Sequence, residues 1–249
     1  MRRVLWGVAL AVVLIGGVMY ASTPAAEGHG WSVPLAEATE ATPVGPADEP
    51  ASTTSDERAK PSNNDRVSAE WSSAVSARTG IPVRAVRAYA GAARAAAATT
   101  PACHLGWTTI AALGEIESHH GAFGGSRLGA DGVVRPGILG PRLNGDGYDA
   151  VTDTDGGVLD GDVRHDRAVG PLQFLPSSWA TWGADGNGDR VADPQQLDDA
   201  ALAAAGYLCH SGDLSMAERW RAAIYSYNHL DSYVERVAAT ANAYAREAS

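Results

Sequence analysis

The chain has only two cysteines in 249 residues, only two phenylalanines, and fewer basic than acidic side chains, 19 against 29. Cys103 and Cys209 stand far apart and form no CxxC pair, so a thiolate metal centre or a redox motif has no support. A single disulfide is the natural use of the pair in an exported domain, and two buried thiols are the plain alternative. The formal charge of -10 and a pI near 5.1 disfavour binding to phosphate backbones, which depends on clustered Lys and Arg. Nucleic acid is therefore not an expected partner. No serine sits in a nucleophile-elbow sequence, and no glycine-rich phosphate loop occurs. The 45% hydrophobic content still permits a real core. Alanine supplies much of it, and 28 glycines beside so few phenylalanines predict helices packed closely through small residues.

Met1, Arg2 and Arg3 precede an uncharged run from Val4 to Ala21, at the lower limit for spanning a bilayer as a helix. Ser22, Thr23 and Pro24 offer no good small-x-small cleavage site, so residues 1–21 read as an uncleaved anchor with the arginines inside. Cleavage as a signal segment would release the same domain. Residues 22–65 are rich in Ala, Pro, Thr, Ser, Glu and Asp and show no periodicity. They read as a disordered linker, because such a stretch buries too little apolar surface to offset its ordering entropy.

The folded domain is expected over residues 66–249, mostly as helices. Val67 to Thr79 has helical spacing and Gly80 to end it; Ile81-Pro82 opens a second helix running to Ala98. Trp107 to Gly121 then reads as one helix in which Trp107, Ile110, Leu113, Gly114 and Glu117 share a sector. Glu117 thus points with apolar residues, whereas Glu115 falls outside the sector. A carboxyl pushed against apolar side chains is costly as an anion, its pKa rises, and it can serve as a general acid near neutrality. His119 and His120 invite a metal reading, but the spacing is not HExxH and no third ligand is apparent. They read as surface or groove residues.

Residues 123–167 carry glycine and aspartate without a period and predict a long loop or short hairpins. Asp146, Asp149, Asp153, Asp155, Asp160, Asp162 and Asp166 make it a solvated acidic loop, a cation site or a wall of a substrate groove. A short helix is expected within Ala168 to Trp182, and further helices at 198–212, 214–228 and 231–248. Between them, Asp185, Asn187 and Asp189 alternate with glycines, and Val191 stands where a calcium loop uses a carbonyl. Gln196 occupies the place of the usual closing glutamate, and Asp199 is the available substitute. The alternative is an Asp/Gly turn capping the next helix. Glycoside cleavage needs an acid beside the leaving oxygen, a role Glu117 can fill. Gln173, Tyr227, Asn228 and Tyr233 are side chains suited to orienting a polar sugar.

IESHHG around Glu117, RAVGPLQFLPSSW from Arg167, DGNGD followed by ADPQQLDDA, and YSYNHLDSYV from Tyr225 stand in the order seen in membrane-bound lytic murein transglycosylases of the goose-lysozyme-like superfamily, which the chain resembles from roughly Val83 to Tyr244. The resemblance implies a lysozyme-like, mainly α domain with a long irregular acidic loop and a calcium-loop insertion. It implies that Glu117 is the single catalytic acid and base, that Ser118, Gln173 and Phe174 belong to the saccharide groove, and that Tyr227, Asn228 and Tyr233 complete it. It further implies structural Ca2+ at Asp185, Asn187, Asp189, Val191 and Asp199, with no organic cofactor. Peptidoglycan glycan strands become the expected substrate, cut extracytoplasmically at the MurNAc to GlcNAc β-1,4 bond with closure of a 1,6-anhydro ring. A hydrolytic muramidase and a calcium-stabilised wall-binding module are the alternatives. The acidic 144–166 loop departs from the family pattern.

Overall fold

The computed structural model describes residues 62–147 and 149–249. The expected membrane segment and residues 22–61 of the expected linker therefore lie outside the described residues. Among the described residues, no helix is long and apolar enough to cross a membrane.

The described chain is mainly helical. α1 (Ala69–Thr79) starts where Ser68 Oγ accepts the Trp71 N–H at 3.2 Å, and it stops at Gly80, whose φ of 73° lets its N–H return to the Ser76 carbonyl. α2 (Val83–Thr99) follows, with Pro82 as its N-cap residue. Its alanines let it lie close to α5 (Leu197–Cys209), the pair in most extensive contact along with the N-terminal turn Asn63–Arg66. That turn straddles the expected boundary between linker and domain. It carries no apolar pattern, and tertiary bonds hold it: the Asn63 N–H donates to the Gly186 carbonyl at 2.8 Å and its Nδ2 to the Asp198 carbonyl at 2.9 Å. From α2, Arg84 pairs bidentately with the buried carboxylate of the same Asp198 of α5.

α3 (Trp107–Ser118) is the central helix, buried on all sides from Trp107 to Gly114 and packed on α2 and on α7 (Asp231–Ala248). Burying side chains such as Trp107, Ile110 and Leu113 contributes about 1.5–3 kcal/mol each. The helix stops three residues earlier than expected. His119, His120 and Gly121 all take left-handed backbone, with φ of 49°, 56° and 87°. The His119 N–H returns to the Glu115 carbonyl and the His120 N–H to the Gly114 carbonyl, each at 2.9 Å. Two consecutive non-glycine residues in this region cost on the order of 1–3 kcal/mol each and persist only where the surroundings over-determine them.

Cys103, ahead of α3, and Cys209, the last residue of α5, form the disulfide, with Cα atoms 5.3 Å apart. The Leu214 N–H donates to the Cys103 carbonyl at 2.8 Å, so α6 (Ala217–Tyr227) begins later than the pattern predicts.

The irregular excursion is a set of short antiparallel pairs. β1 (Arg127–Leu128) pairs with β2 (Val134–Arg135), and β3 (Leu139–Arg142) pairs with β4 (Arg167–Val169) in the register Leu139 to Val169 and Arg142 to Arg167. The acidic loop leaves from β3 and returns to β4 as an arm. Many of its aspartates bond its own backbone: Asp153 Oδ1 accepts N–H groups from Asp155, Gly156 and Gly157, Asp160 accepts from Asp162 and Arg167, and Asp166 accepts from Thr154. These carboxylates hold the arm together. α4 (Pro176–Trp182) follows β4 after a tight turn.

Candidate active site

Glu117 lies one residue before the end of α3 and is half-buried. Tyr233, in the first turn of α7, donates its hydroxyl to Glu117 Oε1 at 2.5 Å. Burial pushes the carboxyl up from 4.5 to about 7, against the Tyr233 hydrogen bond and the Arg236 charge, which both favour the anion. Desolvation therefore wins, and the group exchanges its proton near neutrality. Glu115 is differently placed: its oxygens face His119 Nδ1 at 3.1 Å and His120 Nε2 at 3.2 Å.

The turn Gly170 to Gln173 joins β4 to the chain before α4, with Val169 and Phe174 exchanging both backbone hydrogen bonds at 2.8 and 3.0 Å. A Cβ at Gly170 would stand 1.8 Å from the Pro194 carbonyl oxygen, so glycine there lets the turn press on the backbone of the following loop. Two hydrogen bonds seat the turn between α3 and α6. Ser118 Oγ donates to the Pro171 carbonyl and Tyr227 Oη to the Leu172 carbonyl, both at 2.7 Å.

Those bonds decide what each predicted residue can do. Ser118 is buried, and its hydroxyl also accepts the Gly121 N–H at 2.9 Å, so it braces the site. Phe174, only 4% exposed, stacks edge-on against Tyr227 with ring centroids 5.8 Å apart and against Trp179 at 5.4 Å. Tyr227 and Tyr233 are both raised well above ordinary tyrosine pKa values, chiefly by burial and then by the nearby Glu117 charge. Gln173 takes a left-handed φ of 50°; its Nε2 donates to the Gly170 carbonyl at 2.9 Å, and its buried Oε1 has no partner among the described residues. Asn228 Oδ1 is likewise buried without a partner among the described residues. A buried acceptor without a donor is costly, and a ligand is one resolution of that cost.

Sequence reasoning did not single out Arg236 or the carbonyls of Pro171 and Leu172. Arg236 was within reach, because three residues after Tyr233 it shares that face of α7. The carbonyls carry no side-chain signal.

The DGNGD loop is held by its own oxygens. Asp185 accepts N–H groups from Gly188 and Arg190, Asn187 from Asp189, and Asp189 from Val191. Asp199, fully buried in the first turn of α5, accepts from Gly186, Asn187 and Asp193. Burial pushes Asp199 up to about 7; the three amides oppose the shift and the Asp185 charge adds to it. These oxygens are of the kind a hard cation such as calcium takes, but the carboxylates of Asp185, Asp189 and Asp199 do not form a converging group of three. Among the described residues, however, three carboxylate oxygens within 4.8 Å of one another occur at Asp153, Asp155 and Asp166 of the arm. Those three are close enough to share one metal ion.

A family model described as Transglycosylase SLT domain matches residues 167–223, which include Gln173, Phe174, Asp185 and Asp199. Glu117, Tyr227, Asn228 and Tyr233 lie outside the matched residues. No curated protein and no solved structure matches the chain significantly. The match takes in the Gln173 turn and the loop leading into α5, and over these residues the chain is similar to the Transglycosylase SLT domain, the family its motifs resemble.

Proposed function

We propose that this protein is a peptidoglycan lytic transglycosylase, cutting the MurNAc to GlcNAc β-1,4 bond with formation of 1,6-anhydro-MurNAc. The observation that carries the reading is Glu117: a carboxyl shifted to about 7 by burial and held by Tyr233. Protonated, it gives its proton to the bridging oxygen as the glycosidic bond breaks. The resulting carboxylate takes the proton of the MurNAc C6 hydroxyl as that oxygen attacks C1, so one residue is acid and then base. The Tyr233 hydroxyl stabilises the intermediate anion. Gln173 Oε1 and Asn228 Oδ1, each lacking a donor, are suited to accept from sugar hydroxyl or N-acetyl N–H groups. Ser118 and Phe174 act behind them, one holding the Gln173 turn and the other holding Tyr227.

Hydrolysis instead requires a second carboxylate to direct water. Mass spectrometry of digested peptidoglycan is expected to show anhydro-ended muropeptides. Reducing-ended products would instead establish the muramidase, and the absence of products a wall-binding module. The N-terminal residues would tether the domain to the outer face of the cytoplasmic membrane, within reach of glycan strands.

Calcium is proposed at Asp185, Asn187, Asp189, the Val191 carbonyl and Asp199, as a structural ion joining the loop to α5. With calcium at a hundredfold its Kd, stabilisation of about 2.7 kcal/mol is expected. Thermal melting with calcium and with chelator checks this, and an unchanged midpoint counts against the ion. A calcium response that persists in Asp199→Asn would move the ion elsewhere, with the arm cluster as the next candidate.

A further inference from the structure

Behind Glu117 lies a buried polar cluster that the proposed chemistry does not use. The His120 side chain is wedged between three helices. Its Nδ1 faces the Tyr89 hydroxyl of α2 at 3.1 Å. Its Nε2 faces the Tyr244 hydroxyl of α7 at 3.1 Å and Glu115 Oε2 of α3 at 3.2 Å. A carboxylate only accepts, so the bonding assigns the ring proton to Nε2, and Nδ1 accepts the Tyr89 hydroxyl. Burial keeps the ring neutral, pulling it down from 6.5 to about 4 against the attraction of Glu115, with His119 adding to the decrease.

The glycine in the middle of α3 belongs to the same arrangement. A Cβ at Gly114 would stand 2.0 Å from the Tyr89 oxygen, so the hydroxyl reaches His120 across a gap that only glycine leaves. His120 and His119 meanwhile hold left-handed backbone that relaxes unless the side chains pin it. α7 meets the end of α3 at two points: Tyr233 on Glu117 and Tyr244 on His120.

We infer that His120 is a positioning residue for Glu117: held by Tyr89, Tyr244 and Glu115, its imidazole locks the last turn of α3 to α7, so that the Glu117 carboxyl stays on the Tyr233 hydroxyl. This rests on Glu117 being the acid of the proposed reaction. His120 touches no reacting atom. It acts through the backbone of residues 117–120, where displacement by about 1 Å is enough to cost a hundredfold in rate.

The test compares His120→Phe and His120→Gln in the full chain, reading kcat and KM on peptidoglycan and the Glu117 titration by carboxyl carbon NMR. In His120→Phe, kcat is expected to fall about 10- to 100-fold with KM within about twofold. The Glu117 titration should move from about 7 toward the ordinary carboxyl range. His120→Gln, which keeps one donor and one acceptor, should recover most of both. A folded His120→Phe protein with unchanged kcat and unchanged Glu117 titration overturns the inference, whatever happens to its melting temperature. If that variant fails to fold, Tyr89→Phe and Tyr244→Phe each remove one bond and are read in the same way. If the wild-type chain releases no products, the proposed reaction fails on its own. The Glu117 titration, shifted by phenylalanine and restored by glutamine, still decides the role of His120.

Discussion

Glu117→Gln is expected to lower turnover of peptidoglycan by about 10³-fold or more, because one side chain supplies both the acid and the base step. Glutamine still accepts the Tyr233 hydroxyl, so the groove should survive and substrate should still bind. For the wild type, the protonated form begins the reaction, so kcat/KM should fall as pH rises through about 7. Stability should fall in the same direction of pH as activity. A carboxyl whose folded pKa lies above its unfolded value contributes stability below 4.5 that is lost as pH rises to about 7. Glutamine carries no charge and escapes that loss. The melting temperature of Glu117→Gln should therefore equal or exceed the wild type at about pH 8, with the difference shrinking by about pH 5. Retained activity in Glu117→Gln would sink the proposed mechanism, and a variant melting well below wild type at the higher pH would sink the burial argument.

Replacing both cysteines by serine should destabilise the domain by about 4 to 5 kcal/mol, since Cys103 and Cys209 close a loop with a sequence separation of 106. For a domain of this size that corresponds to a fall in Tm of about 10 to 20 °C. The bridge joins the end of α5 to the chain entering α3, and the adjacent Leu214 to Cys103 hydrogen bond depends on the same approach. Denaturant unfolding of Cys103→Ser/Cys209→Ser against the oxidised protein measures the loss directly. A difference below about 1 kcal/mol would mean that the reduced unfolded chain is already restricted, contrary to the chain-entropy account.

Much of the fold was legible because its helices carry their own stop signals. Gly80 ends α1 as expected, and α7 spans Asp231–Ala248 as the pattern predicts. The end of α3 was not legible. The helix was expected to run to Gly121, which is left-handed, but the left-handed turn already begins at His119, where the His120 side chain is held by tertiary bonds. The Asn63–Arg66 turn was missed for a similar reason: its polar residues bond α5 and the DGNGD loop, not one another's periodic neighbours. His120 was read with His119 as surface or groove, and only His119 is exposed.

The distinction between Glu115 and Glu117 shows how the two kinds of information divide. By itself the sequence determined that a carboxyl would stand on α3 among apolar residues, that two cysteines were available for one bridge, and that an oxygen-rich loop would precede α5. Helical phase and residue chemistry are local properties, so they survive without coordinates. Phase alone separates the two glutamates less sharply than expected, because α3 is buried all round over its first two turns. Tertiary structure decided the matter through partners that are remote in the chain: Tyr233 binds Glu117, while His119 and His120 occupy Glu115. It also decided that Ser118 and Phe174 brace the site from within. Desolvation and hydrogen-bond saturation depend on which segments meet, and that is settled only when the chain has packed.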